Sequence, residues 1–219
     1  MMTKKEVRKK LQQFTSMVLL MVAVPAHAAD VEIALINTFG HEGGYQNMRA
    51  DSGNWTGGKI GKGEQRGTKY GIAASSYPKE DIRNLTIQRA SIIYRRDFWG
   101  ALRLDDVKSQ IIANEIFDAA VNMGTGYQAK ALQHAINRAG WPMPPIAVDG
   151  AIGPATIARL NFVDQVALYC HLVGLRYDRY ARIVAGDPIK EQFFRTWVYR
   201  IKDNVRAAVL AMESKRRRT

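Results

Sequence analysis

From Val31 onward, apolar positions recur at helical spacing through most of the chain, with one long interruption that has no period at all. "VEIALINTF" predicts a helix capped by Asp30, with Ile33, Ile36 and Phe39 facing inward. From Gly40 to about Gly71 the pattern stops. That stretch holds ten of the chain's eighteen glycines and predicts a loop or an irregular hairpin. "YGIAASSYP" reads as a short strand or turn. Helical spacing resumes at "NLTIQRASIIYRRDFW", with Thr86 as N-cap and Ile87, Ala90, Ile93 and Tyr94 on one face. Val107–Met123 is the most apolar helix, with Ile112, Ile116, Ala119, Ala120 and Met123 on one side.

Gly124-Thr125-Gly126 breaks that helix, and Thr125 with Gln128 forms a capping-box pattern for the next. Gly140 ends it, and "WPMPP" forbids its continuation. "VDGAIGPATIARL" predicts a turn and then a helix starting at Pro154. Asp164 to Glu213 reads as two helices parted by "AGDP". The chain is thus expected to be mainly α, with no internal repeat.

The first 28 residues have a different character. "KKEVRKK" is basic, "MVLLMVAV" is apolar, and Ala26-His27-Ala28 supplies a small-x-small site. This predicts an export signal cleaved after Ala28, with a retained anchor or an upstream start site as the other readings. Leu11 to Ala29 carry no formal charge, but polar residues dilute them below what a membrane span wants. The expected location is the periplasm, with transient membrane contact through this segment.

Charge changes the picture little. Of the net +12, the first ten residues carry +4 and residues 213–219 carry +3, which leaves +5 for residues 11–212. A mildly basic body does not require nucleic acid and suits a polyanionic cell-wall surface equally. Cys170 alone excludes an internal disulfide, and no spacing suggests a metal. No cofactor and no metal are expected, and the chain reads as a monomer. Cys170-His171 is a poor dyad, because adjacent helical residues point about 100° apart; Cys170 reads as a core residue of "VALYCHLVGL".

The candidate chemistry lies where the periodicity fails. Glu42 follows a predicted helix and precedes Gly43-Gly44, and Asp51 comes nine residues later. Glycosidic cleavage needs one protonated carboxyl group for the leaving oxygen and a second carboxylate to orient water or stabilise charge. A carboxyl group at a helix C-terminus is disfavoured as the anion, which raises its pKa toward that of a proton donor. The bland alternative is a surface Glu before a helix-ending glycine, and His41 beside it reads as a plain exposed histidine. Trp55 and Tyr70 are candidates for stacking on sugar faces, and Trp99 reads as core. Asp118 and Asn122 share a face at i, i+4 and would either bind an N-acetyl sugar or tie their helix to the glycine-rich loop.

Several stretches, in order, resemble glycoside hydrolase family 108, the phage-type N-acetylmuramidases. They are "HEGGYQNMRADSGNWTGGKIGKGEQRGTKYGI", "IYRRDFW", "FDAAVNMG", "LQHAINRAG" and "VDGAIGPATI". With the helices after them, the likeness spans about Val31 to Arg206. It implies a lysozyme-like helical fold whose glycine-rich loop or small hairpin lines the cleft, with Glu42 as the essential acid. It also implies a peptidoglycan-binding module from about Tyr127. The domains expected are therefore 1–28 signal, 29–126 catalytic, 127–212 peptidoglycan-binding-like, and 213–219 a basic tail. One departure is Thr196 before Trp197, where the family tends to have Gly. The Glu42 and Asp51 spacing is also similar to phage lysozymes of another family that add a Thr, for which Thr68 is the candidate. The implied activity is cleavage of the β-1,4 bond after N-acetylmuramic acid, in lysis or in wall remodelling for export. A lytic transglycosylase and a non-catalytic peptidoglycan-binding adaptor are the alternatives.

Overall fold

The computed structural model describes residues 28–39, 43–187 and 190–216. His41, Glu42, most of the export segment and the end of the basic tail lie outside the described residues. Helices dominate, with a single two-stranded sheet among the described residues, so the chain is mainly α as expected of a lysozyme-like fold. It divides into two compact units, one over Val31–Phe98 and one over Trp99 onward together with residues 28–30. Residue 126, the expected end of the catalytic segment, lies at a helix junction inside the second unit.

In the first unit, α1 (Val31–Phe39) buries Val31, Ala34, Leu35, Thr38 and Phe39. The inward face therefore runs i, i+3, i+4, i+7 from Val31. Ile33, expected inside, is 44% exposed. The Phe39 ring meets Tyr94 edge-on at 5.4 Å and Tyr70 at 6.2 Å. The helix α2 (Ile87–Tyr94) is capped by Thr86, whose hydroxyl accepts from Arg89 N at 3.1 Å, and it buries Ile87, Ala90, Ile93 and Tyr94 as expected. Full burial of each large apolar side chain is worth about 1.5–3 kcal/mol.

Strands β1 (Thr68–Lys69) and β2 (Ile72–Ala73) pair antiparallel, with Lys69 opposite Ile72. Tyr70 and Gly71 form the two-residue turn, both at positive φ (51° and 75°), as a type I′ hairpin requires. A tyrosine at positive φ is strained and persists only where its surroundings hold it. Tyr70 N donates to Gly43 O at 3.1 Å, and Tyr70 O accepts from Tyr94 Oη at 2.8 Å.

In the second unit, α3 (Gln110–Met123) starts at a Ser109 cap. It packs against α4 (Thr125–Ala139) and α6 (Gln165–Gly186). The expected capping box at Thr125 does not form: Gly124 is the N-cap, with φ 83°, and Thr125 is already helical. Pro154 opens α5 (Pro154–Phe162), and Asp164 caps α6 through Ala167 N at 2.7 Å. The last helix, α7 (Glu191–Arg216), returns along α6. There Trp197 stacks on Tyr180 at 5.0 Å, so Thr196 in place of glycine leaves an aromatic contact intact. Cys170 is exposed on α6, not in the core.

A charged cluster is sealed at the centre of this unit. Asp118 Oδ2 accepts from Arg176 Nη2 at 2.6 Å, and Asp118 Oδ1 accepts from Arg200 Nη2 at 2.7 Å. Glu115 Oε1 accepts from Arg176 Nη1 at 3.1 Å. Asn204 Nδ2 adds a bond to Asp118 at 2.9 Å. Burial alone would raise the Asp118 carboxyl, but Arg200 and Arg176 outweigh it and hold that group well below the usual carboxylate range. Burial pushes Glu115 the other way, and Arg176 offsets it only in part.

The two acids have opposite pH signatures. Asp118 stabilises fully above its unfolded pKa of about 3.9, and this is lost as pH falls through its lower folded value. Glu115 binds its proton more tightly when folded, so its share favours folding as pH falls. Removing one partner from a buried charge set costs about 3–5 kcal/mol, because the remaining charges are left uncompensated. Asp118→Ala is therefore expected to lower the unfolding free energy by about that amount in urea titrations at pH 7. A loss under about 1 kcal/mol would show the cluster to be energetically idle.

Candidate active site in the glycine-rich loop

The stretch from Gly43 to Gly71 is organised by two side-chain amides that sequence reasoning missed, Gln46 and Asn54. Gln46 lies in extended backbone and bridges Thr68, with Gln46 N donating to Thr68 O and Thr68 N to Gln46 O, both at 2.9 Å. Asn54 ends a short 3-10 turn, Ser52–Asn54, and has no exposed surface. The two amides pair reciprocally. Gln46 Nε2 donates to Asn54 Oδ1 at 3.1 Å, and Asn54 Nδ2 donates to Gln46 Oε1 at 2.8 Å.

Their remaining valences reach outward. Asn54 Nδ2 also donates to Met48 O at 2.9 Å, and Asn54 Oδ1 also accepts from Thr68 Oγ1 at 2.8 Å. Gln46 Nε2 also donates to Asp51 Oδ2 at 3.0 Å, and Gln46 Oε1 also accepts from Met48 N at 3.1 Å. The Asn54 carbonyl accepts from both Arg66 N and Gly67 N, at 2.9 and 3.1 Å. Every donor and acceptor of the two amides is thereby used. Gly67 sits at φ 84°, and a Cβ there would lie 2.6 Å from Gln46 O, so only glycine fits.

This network brings Asp51 and Thr68 together, two of the three residues singled out for catalysis. Asp51 is half-buried, and its Oδ1 caps the 3-10 turn through Gly53 N at 2.9 Å. A carboxylate offers about four lone-pair sites, and Asp51 spends two of them here. The Thr68 hydroxyl gives its proton to Asn54 and keeps its own lone pairs. Spare acceptor capacity is thus concentrated on these two groups, and such a pair can hold and orient a water molecule.

Glu42 lies outside the described residues. The described chain on either side converges on Tyr70: Phe39 through its ring, and Gly43 through its carbonyl.

The other expected site residues sort differently. Trp55 is only 9% exposed and its Nε1 donates to Arg49 O at 3.0 Å, so it packs inside the loop and has no open face for a sugar. Tyr70 is half-buried, with Lys69 Nζ 5.4 Å from its ring centre, and its backbone holds the hairpin. Trp99 is buried and donates to Asp105 at 2.7 Å, as a core residue. Asp118 cannot bind substrate: it is sealed in the second unit and both of its oxygens face arginines. Its hydrogen-bond partners among the described residues lie on α6 and α7. Asn122, one turn further along α3, is exposed, and its Nδ2 bonds the Asp118 carbonyl at 2.9 Å.

The first unit also contains an open cavity of about 380 Å³ whose lining includes Tyr45, Asn47, Gln65, Arg66, Lys79 and Arg83. Tyr45 and Asn47 flank Gln46, and successive residues of extended backbone point to opposite faces. The same short segment therefore serves the amide pair with Gln46 and this cavity with its neighbours. Asn47 Oδ1 is buried without a hydrogen-bond partner among the described residues, so it is free to accept from a ligand hydroxyl or amide. The signal for this cavity was present in "YQNMR", but it takes the fold to bring Lys79 and Arg83 beside it.

Comparison with known proteins follows the same partition of chemistry. Residues 35–124 match the family model described as Glycosyl hydrolase 108. Residues 127–202 match the model described as Predicted Peptidoglycan domain. Among solved structures, one described as the structure of Brucella abortus SagA aligns with a TM-score of 0.61 at 23% identity. The alignment covers 82% of this chain and 92% of that chain, a likeness of fold. No curated protein matches the sequence. A hydrolase segment that carries the polar network, followed directly by a wall-directed segment, leaves one assignment: the chain belongs over residues 35–124 to the glycosyl hydrolase 108 family, and it is a glycoside hydrolase of peptidoglycan.

Proposed function

We propose that the enzyme is an N-acetylmuramidase that cleaves the β-1,4 bond between N-acetylmuramic acid and N-acetylglucosamine, with Glu42 as general acid. The Glu42 proton passes to the glycosidic oxygen as the bond to the anomeric carbon breaks. Water adds to that carbon, and the proton it releases returns, directly or through solvent, to the Glu42 carboxylate, which restores the acid. Asp51, assisted by Thr68, orients this water or stabilises the positive charge that develops. The observation that carries the reading is the closed Gln46–Asn54 pair, which leaves spare lone pairs on Asp51 and Thr68 within the hydrolase segment. A site equipped to hold water favours hydrolysis over transglycosylation, which excludes water. Tyr70 and Asn122 remain proposed substrate contacts. The enzyme acts as a monomer and without a cofactor.

The proposed site of action is the periplasm, reached through an N-terminal signal cleaved after Ala28 and in transient contact with the membrane. Ala29 is buried, and its N–H donates to Val107 O at 2.8 Å, a bond that a free terminal amine would also make. N-terminal sequencing of the native product is expected to start at Ala29. An intact Met1 on a soluble cytoplasmic species would refute the export reading.

The mechanism is tested by mass spectrometry of fragments released from purified peptidoglycan. The parent is expected to give reducing N-acetylmuramic ends; anhydro ends would identify a transglycosylase. Glu42→Gln cannot donate the proton, so its rate should fall by at least about 10²-fold with little change in Tm. A rate within about threefold of the parent would refute Glu42 as the acid.

A further inference from the structure

A second cavity lies far along the sequence from the glycine-rich loop, within the segment that matches the peptidoglycan model. It is an open groove of about 690 Å³ between α4 and α6. Tyr127, Lys130, His134 and Arg138 succeed one another at spacings of three or four along one face of α4. Asp178 and Arg182 face them from α6, and Ala131 and Ala181 are small enough to leave the floor open.

Charge in this groove is one-sided. Lys130, Arg138 and Arg182 are exposed, and none of them forms a salt bridge among the described residues. Arg182 spends only its Nε, on the Asp178 carbonyl at 3.2 Å. Arg179, next to the groove, lies over the Tyr127 ring at 4.7 Å and adds a fourth cation. Asp178 is the one acid in the lining. Asp149 lies near Lys130, but its Oδ1 is committed to Gln133 and Ala151 N, at 2.7 and 2.8 Å.

We propose that this groove binds the peptide stem of peptidoglycan through the stem's free carboxylates. The proposal rests on the peptidoglycan reading of the chain and names the part of the polymer recognised. The alternative occupant, the glycan strand, is poorly matched. Glycan recognition relies on open aromatic faces and neutral hydrogen-bonding groups, whereas here the single aromatic ring is already covered by Arg179. Peptide stems carry carboxylates spaced along an extended chain. Two guanidinium groups and an ammonium lining one groove can take such groups in charge-assisted, partly bidentate bonds. The groove then selects wall regions that still bear peptide and holds the hydrolase segment against them.

The test uses the full chain carrying Glu42→Gln, so that no ligand is consumed. Calorimetry would compare the free stem tetrapeptide, the same peptide with its carboxylates amidated, and a neutral N-acetylglucosamine tetramer. The tetrapeptide is expected to bind, and amidation is expected to weaken it at least tenfold. Arg138→Glu/Arg182→Glu is expected to abolish tetrapeptide binding without a change in Tm, while Arg138→Lys/Arg182→Lys retains most of it. Raising salt should weaken binding steadily, as exposed charges are screened. Equal affinity for the amidated peptide, or a less than twofold effect of the charge reversal, would overturn the proposal. Binding of the neutral tetramer alone would overturn it while leaving the peptidoglycan reading intact; binding of neither would remove both.

Discussion

Asn54 is the constraint on which the candidate site depends. A loop this rich in glycine pays a large entropy cost to become ordered, and it has few side chains with which to recover it. Asn54 answers locally. One fully buried amide and its own carbonyl gather Gln46, Met48, Arg66, Gly67 and Thr68. Each bond is worth only about 1 kcal/mol net, but leaving a buried donor or acceptor unmet costs about 1–3 kcal/mol. Such a network is therefore nearly all-or-none, and glycine is tolerated around it because the side chains, not the backbone propensities, set the shape. Gly67 shows the converse: the approach of Gln46 O is so close that no Cβ could be present.

The second unit handles polarity by burial instead of by linkage to an open site. Glu115, Asp118, Arg176 and Arg200 form a sealed set that joins three helices. Replacement by well-packed apolar residues can equal such clusters in stability, so their value lies in fixing which helix faces meet. The frame it fixes includes α6, which contributes Arg182 to the groove and carries Arg179 beside it. Buried and exposed arginines on one helix thus have different duties: Arg176 sets the packing, and Arg179 and Arg182 face outward.

The features legible in the sequence were those determined within a few residues. Thr86 caps its helix, Pro154 starts one and Gly140 stops one, because capping depends on local backbone geometry. Two local readings failed for local reasons: Gly124 took the cap that Thr125 was expected to hold, and the inward face of α1 was set by Ala34 and Leu35 instead of Ile33. Asp118 was misread because its partners lie 58 and 82 residues away on α6 and α7, and no spacing along α3 reveals them. Trp55 suffered the same way, since a tryptophan in a glycine-rich stretch looks exposed until the loop folds over it. Asp51 and Thr68 stood out in the sequence as candidates, but the amides that join them did not, because asparagine and glutamine in loops are ordinary turn residues.

The central claim is that the Gln46–Asn54 pair makes Asp51 and Thr68 one working unit. A double-mutant cycle measures it directly: kcat/KM on purified cell walls for the parent, Asp51→Asn, Thr68→Val and the double variant. The predicted result is strong non-additivity, with a coupling above about 1 kcal/mol and a double variant scarcely worse than the worse single one. Effects that add to within about 0.5 kcal/mol would mean that the two residues act independently, and would contradict the account.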